Sequence, residues 1–177
     1  QSIPSGVKGL VSLRGLKLTG VTQDGGKVTV GGGANIEQLL HDEKIKNNWG
    51  GILYKACRNV GSTLNRNLVT AGGNVAAVFP WSDLPPVLAV LDGAVVVNDQ
   101  ERISFGDYFN EAPVKKGIGK QKIITALEIE TGDASRKYFW ESFQKSKVDF
   151  VMSTVCGWVK LDGKGLVTEI RLCCQSA

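Results

Sequence analysis

Thr70-Ala71-Gly72-Gly73-Asn74 follows the apolar pair Leu68-Val69 and precedes another apolar run, so a polar, glycine-paired kink interrupts hydrophobic sequence. Two glycines let a backbone approach a ligand closely. Consecutive N–H groups in such a turn can converge on a phosphate oxygen, with Thr70 and Asn74 supplying side-chain donors beside them. That chemistry is a pyrophosphate or flavin cradle, although a bulge or tight turn without a ligand has the same composition. Asp83 lies thirteen residues after Thr70. A carboxylate only accepts hydrogen bonds, so it suits a ribose hydroxyl or a ring N–H if the chain doubles back. It could equally cap a helix, or do both. Gly31-Gly32-Gly33 is a second flexible loop, but no Lys-Ser/Thr follows it, so it is not a P-loop. No usable GxGxxG fingerprint of a Rossmann domain is present.

Other chemistries are excluded by what is scarce. His41 is the only histidine, which removes a histidine-based metal cluster and leaves a Ser-His-Asp hydrolase without a plausible base. Its place after Ile36, Leu39 and Leu40 predicts an exposed helix end. Cys57, Cys156, Cys173 and Cys174 form no CxxC and fit neither a zinc site nor a disulfide scaffold, so each is expected to be a small buried hydrophobe in a cytoplasmic protein. With 21 basic and 17 acidic residues, the net charge of +4 is scattered and gives no nucleic-acid footprint. Val87–Val97, interrupted by Asp92-Gly93, is too short for a membrane span. Gln1 is expected to begin neither a signal nor a transit peptide.

These residues need elements to position them. Many of the 22 glycines fall where an element changes. Leu16–Val21 and Lys27–Val30 read as strands of a hairpin turned by Asp24-Gly25-Gly26. Asn35 caps a short helix over Ile36–Leu40, and a second helix is predicted from Ile52 to Val60, ending at Gly61. Ser82 or Asp83 caps a third, with Pro85 and Pro86 in its first turn and Asp92-Gly93 at its end. Ala94–Val97 and Lys122–Glu130 read as strands, as do Val151–Leu161 and Leu166–Cys173 around a turn at Asp162–Gly165. Arg136–Val148 is polar with aromatic interruptions. A boundary is placed between Thr131 and Asp149, and the mixture of helices with short strands argues for an α+β fold.

The string TAGGN, followed by SDLPP at Ser82–Pro86 and LAVLDG at Leu88–Gly93, resembles the FAD-binding subunit of molybdopterin dehydrogenases, the family of xanthine, carbon monoxide and nicotinate dehydrogenases. VTVGGGANIEQLL at Val28–Leu40, ISFGDYF at Ile103–Phe109, IITALEI at Ile123–Ile129 and DFVMSTV at Asp149–Val155 follow the family's order, so the resemblance covers nearly the whole chain.

The resemblance implies FAD held noncovalently between two α+β lobes: residues 1–131 as the FAD-binding lobe, and 132–177 as a linker and partial C-terminal lobe whose small three-stranded sheet and helices begin near Asp149. It implies that Thr70, Gly72, Gly73 and Asn74 contact the diphosphate, with Ala71 in the same loop and Ala77 on the following turn. Asp83 takes the place of a flavin-contacting aspartate, Ile124 that of an apolar residue against the isoalloxazine ring, and Lys145, beside Gln144, that of a usual lysine. The family's first glycine loop, an AGGTDL-like string, has no counterpart before Ser12, and its C-terminal lobe is cut short after Ala177. The chain is therefore expected to be a piece of a longer protein or a divergent member lacking half its cradle. The implied role is to pass electrons from iron–sulfur clusters through FAD to NAD or another acceptor. The 2Fe-2S clusters and molybdopterin would sit in partner subunits, with Trp81 and Trp140 as candidate anchors. Two rivals stand: a scaffold that has lost its flavin, and an FAD enzyme of the enolpyruvyl-sugar reductase or aldonolactone oxidase kind, against which SDLPP and LDG argue.

Overall fold

The structure, a computed structural model, describes residues 9, 11–77, 79–111, 122–146 and 149–176. Asp24, Gly25, Gly26 and Lys27 make the first turn. Both central glycines have positive φ, 53° and 85°, which matches the twist of strands β1 (Val21–Asp24) and β2 (Lys27–Gly31). The first strand starts later than expected, because Leu18 and Gly20 spend their carbonyls on Gly33 and Gly31 N–H at 2.7 and 3.0 Å. Val28 and Val30 alternate inward along β2.

Helices fill the segment between β2 and the next strand. Asn35 caps α1 (Ile36–Leu40) with a full capping box: its Oδ1 accepts from Gln38 N–H at 2.8 Å, and Gln38 Oε1 accepts from Asn35 N–H at 3.0 Å. His41 ends that helix in solvent, as its position predicts. Then come α2 (Glu43–Asn47), α3 (Ile52–Asn59), α4 (Thr63–Leu68), α5 (Ala71–Ala77) and α6 (Leu84–Val90), the last with Pro85 and Pro86 in its first turn. Strands β3 (Gly93–Val97) and β4 (Glu101–Ser104) form a hairpin, α7 (Phe105–Glu111) follows, and β5 (Ile124–Glu130) enters the sheet between β2 and β3. The order β1-β2-β5-β3-β4 is antiparallel throughout.

A second antiparallel sheet contains β6 (Arg136–Gln144), β7 (Val151–Leu161) and β8 (Val167–Ser176) in sequence order. It begins at Arg136 rather than near Asp149. The polar spacing of the β6 segment conceals an edge strand whose Tyr138 and Trp140 pack on the core while Lys137 and Glu141 face water. Trp140 is thus half-buried and turned toward the core. Helices α5 and α7 lie on the five-stranded sheet, α6 packs on both and on α3, and the three-stranded sheet covers α3 and α6 from the far side. Cys57 and Cys156 are buried as expected, Cys173 is half-buried, and Cys174 is exposed because neighbours on a strand point to opposite faces. Among the described residues, no helix is long and apolar enough to cross a membrane.

The two sheets are tied at the end of α6. Trp158 Nε1 donates to the Val90 carbonyl at 2.9 Å, and the Arg136 guanidinium lies 3.9 Å over the Trp158 ring. Arg136 and Arg171 both donate to the Asp92 carboxylate, at 2.7 and 2.6 Å. Burial works to raise the Asp92 pKa, but the two arginines outweigh it and hold the carboxyl below its ordinary value near 3.8. A depressed carboxylate stabilises above its unfolded value and loses that contribution as pH falls through the folded one. Asp92 is too exposed to be worth a buried pair, so Asp92→Asn is expected to cost about 1 kcal/mol at pH 7. In urea melts, the difference from the unaltered chain shrinks as pH drops below about 4.

Candidate functional site

The site is built on a place where backbones touch. Gly31 and Gly33 are crossed by the Leu18 carbonyl, and Gly32 lies against the Ile124 carbonyl, so a side chain at Gly31 or Gly32 would collide with main chain and one at Gly33 would press on Leu18. The triple-glycine loop is therefore glycine for packing. Gly32 N–H donates to the Thr125 carbonyl at 2.7 Å, while its own carbonyl accepts from Gly72 N–H at 2.9 Å. Ala71 N–H donates to the Ala34 carbonyl at 2.8 Å, and Asn35 bridges to Thr70. Thr70–Asn74 is consequently the start of helix α5 rather than a free turn. Its first N–H groups are spent on the glycine loop, and Gly73 N–H is taken by Thr70 Oγ1 at 3.1 Å.

The two glycines of TAGGN differ. A Cβ on Gly72 would lie 2.8 Å from the Gly32 carbonyl oxygen and 3.2 Å from that of Ile124, both immovable main chain. A Cβ on Gly73 would meet only the Thr70 hydroxyl, at 2.9 Å, a group that can rotate away. Packing demands the first glycine and leaves the second unexplained.

Gly73 and Thr70 lie in the walls of two clefts. One, of about 570 Å³, is also lined by Gly72, Ile124, Arg14 and Lys122. The other, of about 730 Å³, is lined by Asn74, Ala77, Phe79, Trp81, Asp83 and Phe150 among others. Ile124 and Asp83 therefore fall on opposite sides of Gly73. Ala71 is buried and lines neither cleft.

Asp83 precedes α6, but its side chain caps nothing, contrary to the capping expected from sequence. Its Oδ1 accepts from Asn59 Nδ2 at 2.7 Å, and the same amide donates to Gln144 Oε1 at 3.1 Å. This couples α6 to α3 and β6. The residue is only 6% exposed. Burial pushes its carboxyl up to about 6, the Asn59 hydrogen bond offsetting part of the rise. Lys145 is exposed beyond the end of β6 and lines neither cleft; its neighbour Gln144 is the residue that reaches the Asp83 network. Among the described residues, Asn74 Oδ1 is buried with no hydrogen-bond partner.

Sequence reasoning missed Asn59, Phe79 and Phe150, and it took Trp81 as a subunit anchor. The ring of Phe79 stacks on Trp81 with centroids 5.0 Å apart and planes at 4°, and Phe150 meets Trp81 at 5.0 Å and 50°. The spacing Phe79-Pro80-Trp81 just after TAGGN was the available signal. Phe150 comes from a distant segment and gave none.

Residues 5–130 match the family described as FAD binding domain in molybdopterin dehydrogenase. The glyceraldehyde dehydrogenase medium chain of Sulfolobus acidocaldarius is 22% identical over 82% of this chain and 51% of its own length. The nicotinate dehydrogenase FAD-subunit of Eubacterium barkeri is 30% identical over 66% of this chain and 41% of its own. The chain thus spans about half the length of the curated relatives it matches. Among solved structures, carbon monoxide dehydrogenase from Hydrogenophaga pseudoflava superposes with a TM-score of 0.79 at 17% identity, over 89% of this chain and 55% of that one. Quinoline 2-oxidoreductase from Pseudomonas putida gives 0.77 at 17%, with the same coverage, and both likenesses are of fold. The match over residues 5–130, which take in the glycine crossing, places the chain in the family of FAD-binding domains of molybdopterin dehydrogenases.

Proposed function

We propose that the ridge at Thr70–Gly73 carries the diphosphate of FAD, with the two halves of the dinucleotide running into the two clefts. The observation that carries this reading is Gly73, bare where the fold does not require it and common to both clefts. The residues fit such a ligand: the Thr70 hydroxyl and the Asn74 side-chain amide flank the ridge, and Arg14 and Lys122, the latter paired with Glu101, lie along one cleft. Asp83 would accept from a donor of the cofactor, Ala77 would border the second cleft, and Ile124 would present an apolar wall in the first. Ala71 would serve by fixing the helix start, and Lys145 has no role that its position supports.

FAD would supply the redox chemistry, taking up electrons and handing them on, while this chain binds and orients it. In the whole protein we infer electron flow from iron–sulfur clusters in one partner subunit, fed by a molybdenum-cofactor subunit, through FAD to NAD or another acceptor. We assign residues 1–131 to the FAD lobe and 132–177 to a linker and the start of a second lobe. The step from Glu130, the last residue of the first sheet, to Arg136, the first of the second, supports that division. The spent N–H groups of Ala71, Gly72 and Gly73 favour one rival, a domain that keeps the fold without flavin.

Flavin titration decides between them. Gly73→Val is expected to weaken FAD binding at least tenfold while changing unfolding free energy by no more than about 1 kcal/mol. Gly72→Val is expected to lose several kcal/mol because its side chain enters main chain, the upper end of what overpacking costs, about 1–3 kcal/mol or more. A chain that binds no FAD establishes the scaffold reading, and a Gly73→Val variant with unchanged affinity overturns the placement of the diphosphate on this ridge.

Asp83 yields a test that needs no cofactor. Its raised pKa means that the folded state binds a proton more tightly than the unfolded one, so this group's contribution is most favourable below its ordinary value near 3.8 and is lost as pH rises through about 6. Asp83→Asn is therefore expected to match the unaltered chain in stability near pH 4 and to exceed it by about 2 kcal/mol at pH 7.5, while binding FAD more weakly. Co-purification from the native source, followed by metal and subunit analysis, tests the assembly: iron and molybdenum subunits are expected with this chain, and a lone homo-oligomer without either metal contradicts it.

A further inference from the structure

Two of the four cysteines are partners across a pair of strands. Cys156 on β7 lies directly opposite Cys173 on β8, and Trp140 of β6 completes the same row on the side that faces the core. Cys156 is buried and Cys173 half-buried. Residues directly opposite on antiparallel strands have Cα atoms about 4.5–5.5 Å apart, within the range of about 4.4–6.8 Å that a disulfide spans, so the strands need not move for the two sulfurs to join. Cys173 and Cys174 have no such route, because neighbours on a strand point to opposite faces. Cys57, buried on α3, belongs to no such row.

The pair is also polarised. A hydrogen bond from Cys156 holds the Cys173 thiol below its ordinary value near 9, although burial works the other way. The same bond, together with burial, pushes the Cys156 thiol up. Cys173 therefore has the larger share of thiolate and is the one that solvent reaches, the two properties that select a cysteine for oxidation. Two buried polar atoms on this face, Trp140 Nε1 in the row and Thr154 Oγ1 two residues before Cys156, have no partner among the described residues. An indole N–H only donates, and a neutral thiol is a weak acceptor where an anionic sulfur is a strong one. The row is short of an acceptor in its reduced state.

From the opposed register and the unequal exposure, we propose that Cys156 and Cys173 are an oxidation site for a small peroxide, closing to a disulfide between β7 and β8. The Cys173 sulfur attacks one peroxide oxygen: the S–O bond forms, the O–O bond breaks, and the hydroxide released leaves as water with the proton of the Cys173 thiol. The Cys156 sulfur then attacks the Cys173 sulfur. Here the S–S bond forms, the S–O bond breaks, and the departing hydroxide leaves as water with the Cys156 proton. Two thiols have lost two electrons, and one peroxide has gained them. The reaction stops there, whereas exposed Cys174, which faces Val155 and no thiol, goes on to the sulfinic acid. The crosslink falls two residues before Gln175, whose Nε2 donates to the Pro80 and Ser82 carbonyls, so oxidation fixes the strand that holds the Pro80–Ser82 edge of the larger cleft.

The test treats the reduced full chain with hydrogen peroxide, blocks the remaining thiols with an alkylating reagent, and maps the crosslinks by mass spectrometry without reduction. A linked Cys156–Cys173 peptide is expected, with Cys57 recovered as the alkylated thiol. Cys174→Ser is expected to leave the rate of crosslinking unchanged. In Cys156→Ser, Cys173 is expected to stop at the sulfenic acid, which a cyclic 1,3-diketone traps in far higher yield than in the unaltered chain. Because Cys156 is buried, that variant is first checked for fold by circular dichroism. If it does not fold, Cys173→Ser at the half-buried position takes its place, and it is expected to abolish the crosslink and to leave Cys156 a thiol. A main product joined through Cys174 to another copy overturns the proposal. So does a chain in which Cys156 and Cys173 both remain thiols once Cys174 is fully oxidised, or one in which Cys173 passes to the sulfinic acid with Cys156 untouched. None of these measurements requires FAD, so their outcome is independent of the flavin reading.

Discussion

Main chain resting on main chain at Gly32 is the constraint from which the site follows. The Gly32 peptide is held between the Ile124–Thr125 backbone of β5 and the Gly72 amide of α5, with no side chain between them. Hydrogen bonds on both sides fix the register of a strand, a loop and a helix start relative to one another, and such bonds cost most when one partner is left buried and unpaired. Gly73 is thereby delivered, one residue beyond the contact, to the boundary of two clefts. Its position is set by atoms that no side-chain substitution elsewhere can easily displace.

The second cleft is stabilised by a different arrangement. Asp83 sits nearly buried with an amide, not a cation, as its partner, which is an expensive way to keep a carboxylate. The cost is borne across elements, since Asn59 belongs to α3 and Gln144 to β6. The three-stranded sheet therefore does more than cover α6. Through Gln144 it helps to orient Asp83, through Gln175 it positions the Pro80–Ser82 turn, and through Phe150 it contributes part of the wall itself.

What the sequence disclosed follows from how local each cause is. The Asn35 box, the paired prolines of α6, the glycine turn after Asp24 and the β7–β8 hairpin all depend on neighbours a few residues apart, and each was readable. Strand β6 was not, because its alternation is carried by half-buried aromatics on an edge whose partner lies beyond the next turn. The glycine-paired segment was singled out correctly as a special stretch of backbone, yet its local form was mistaken: consecutive N–H groups imagined as free for phosphate are committed to a loop some forty residues earlier. Asp83 looked like a cap because Ser-Asp before Leu-Pro-Pro is a capping pattern, and only the tertiary approach of Asn59 diverts the carboxylate. Gln144, Asn59 and Phe150 join the site through long-range contacts, and single residues of ordinary type announce nothing on their own.

The strand order has a consequence for how the chain reaches this state. Strand β5 lies between β2 and β3 although it follows both, so the first hundred and more residues contain two hairpins, β1-β2 and β3-β4, with no shared neighbour. Until Ile124–Glu130 arrives, each hairpin presents an open edge, and the Gly32 peptide lacks the carbonyls that complete its surroundings. Closing that gap joins residues about a hundred positions apart, so loop closure must precede the gain in contacts, and folding of this kind is slow compared with helical domains. A nascent chain halted before β5 would carry unpaired strand edges, the feature most prone to pairing with another copy. The last strand of the sheet to be synthesised is the one that seals it.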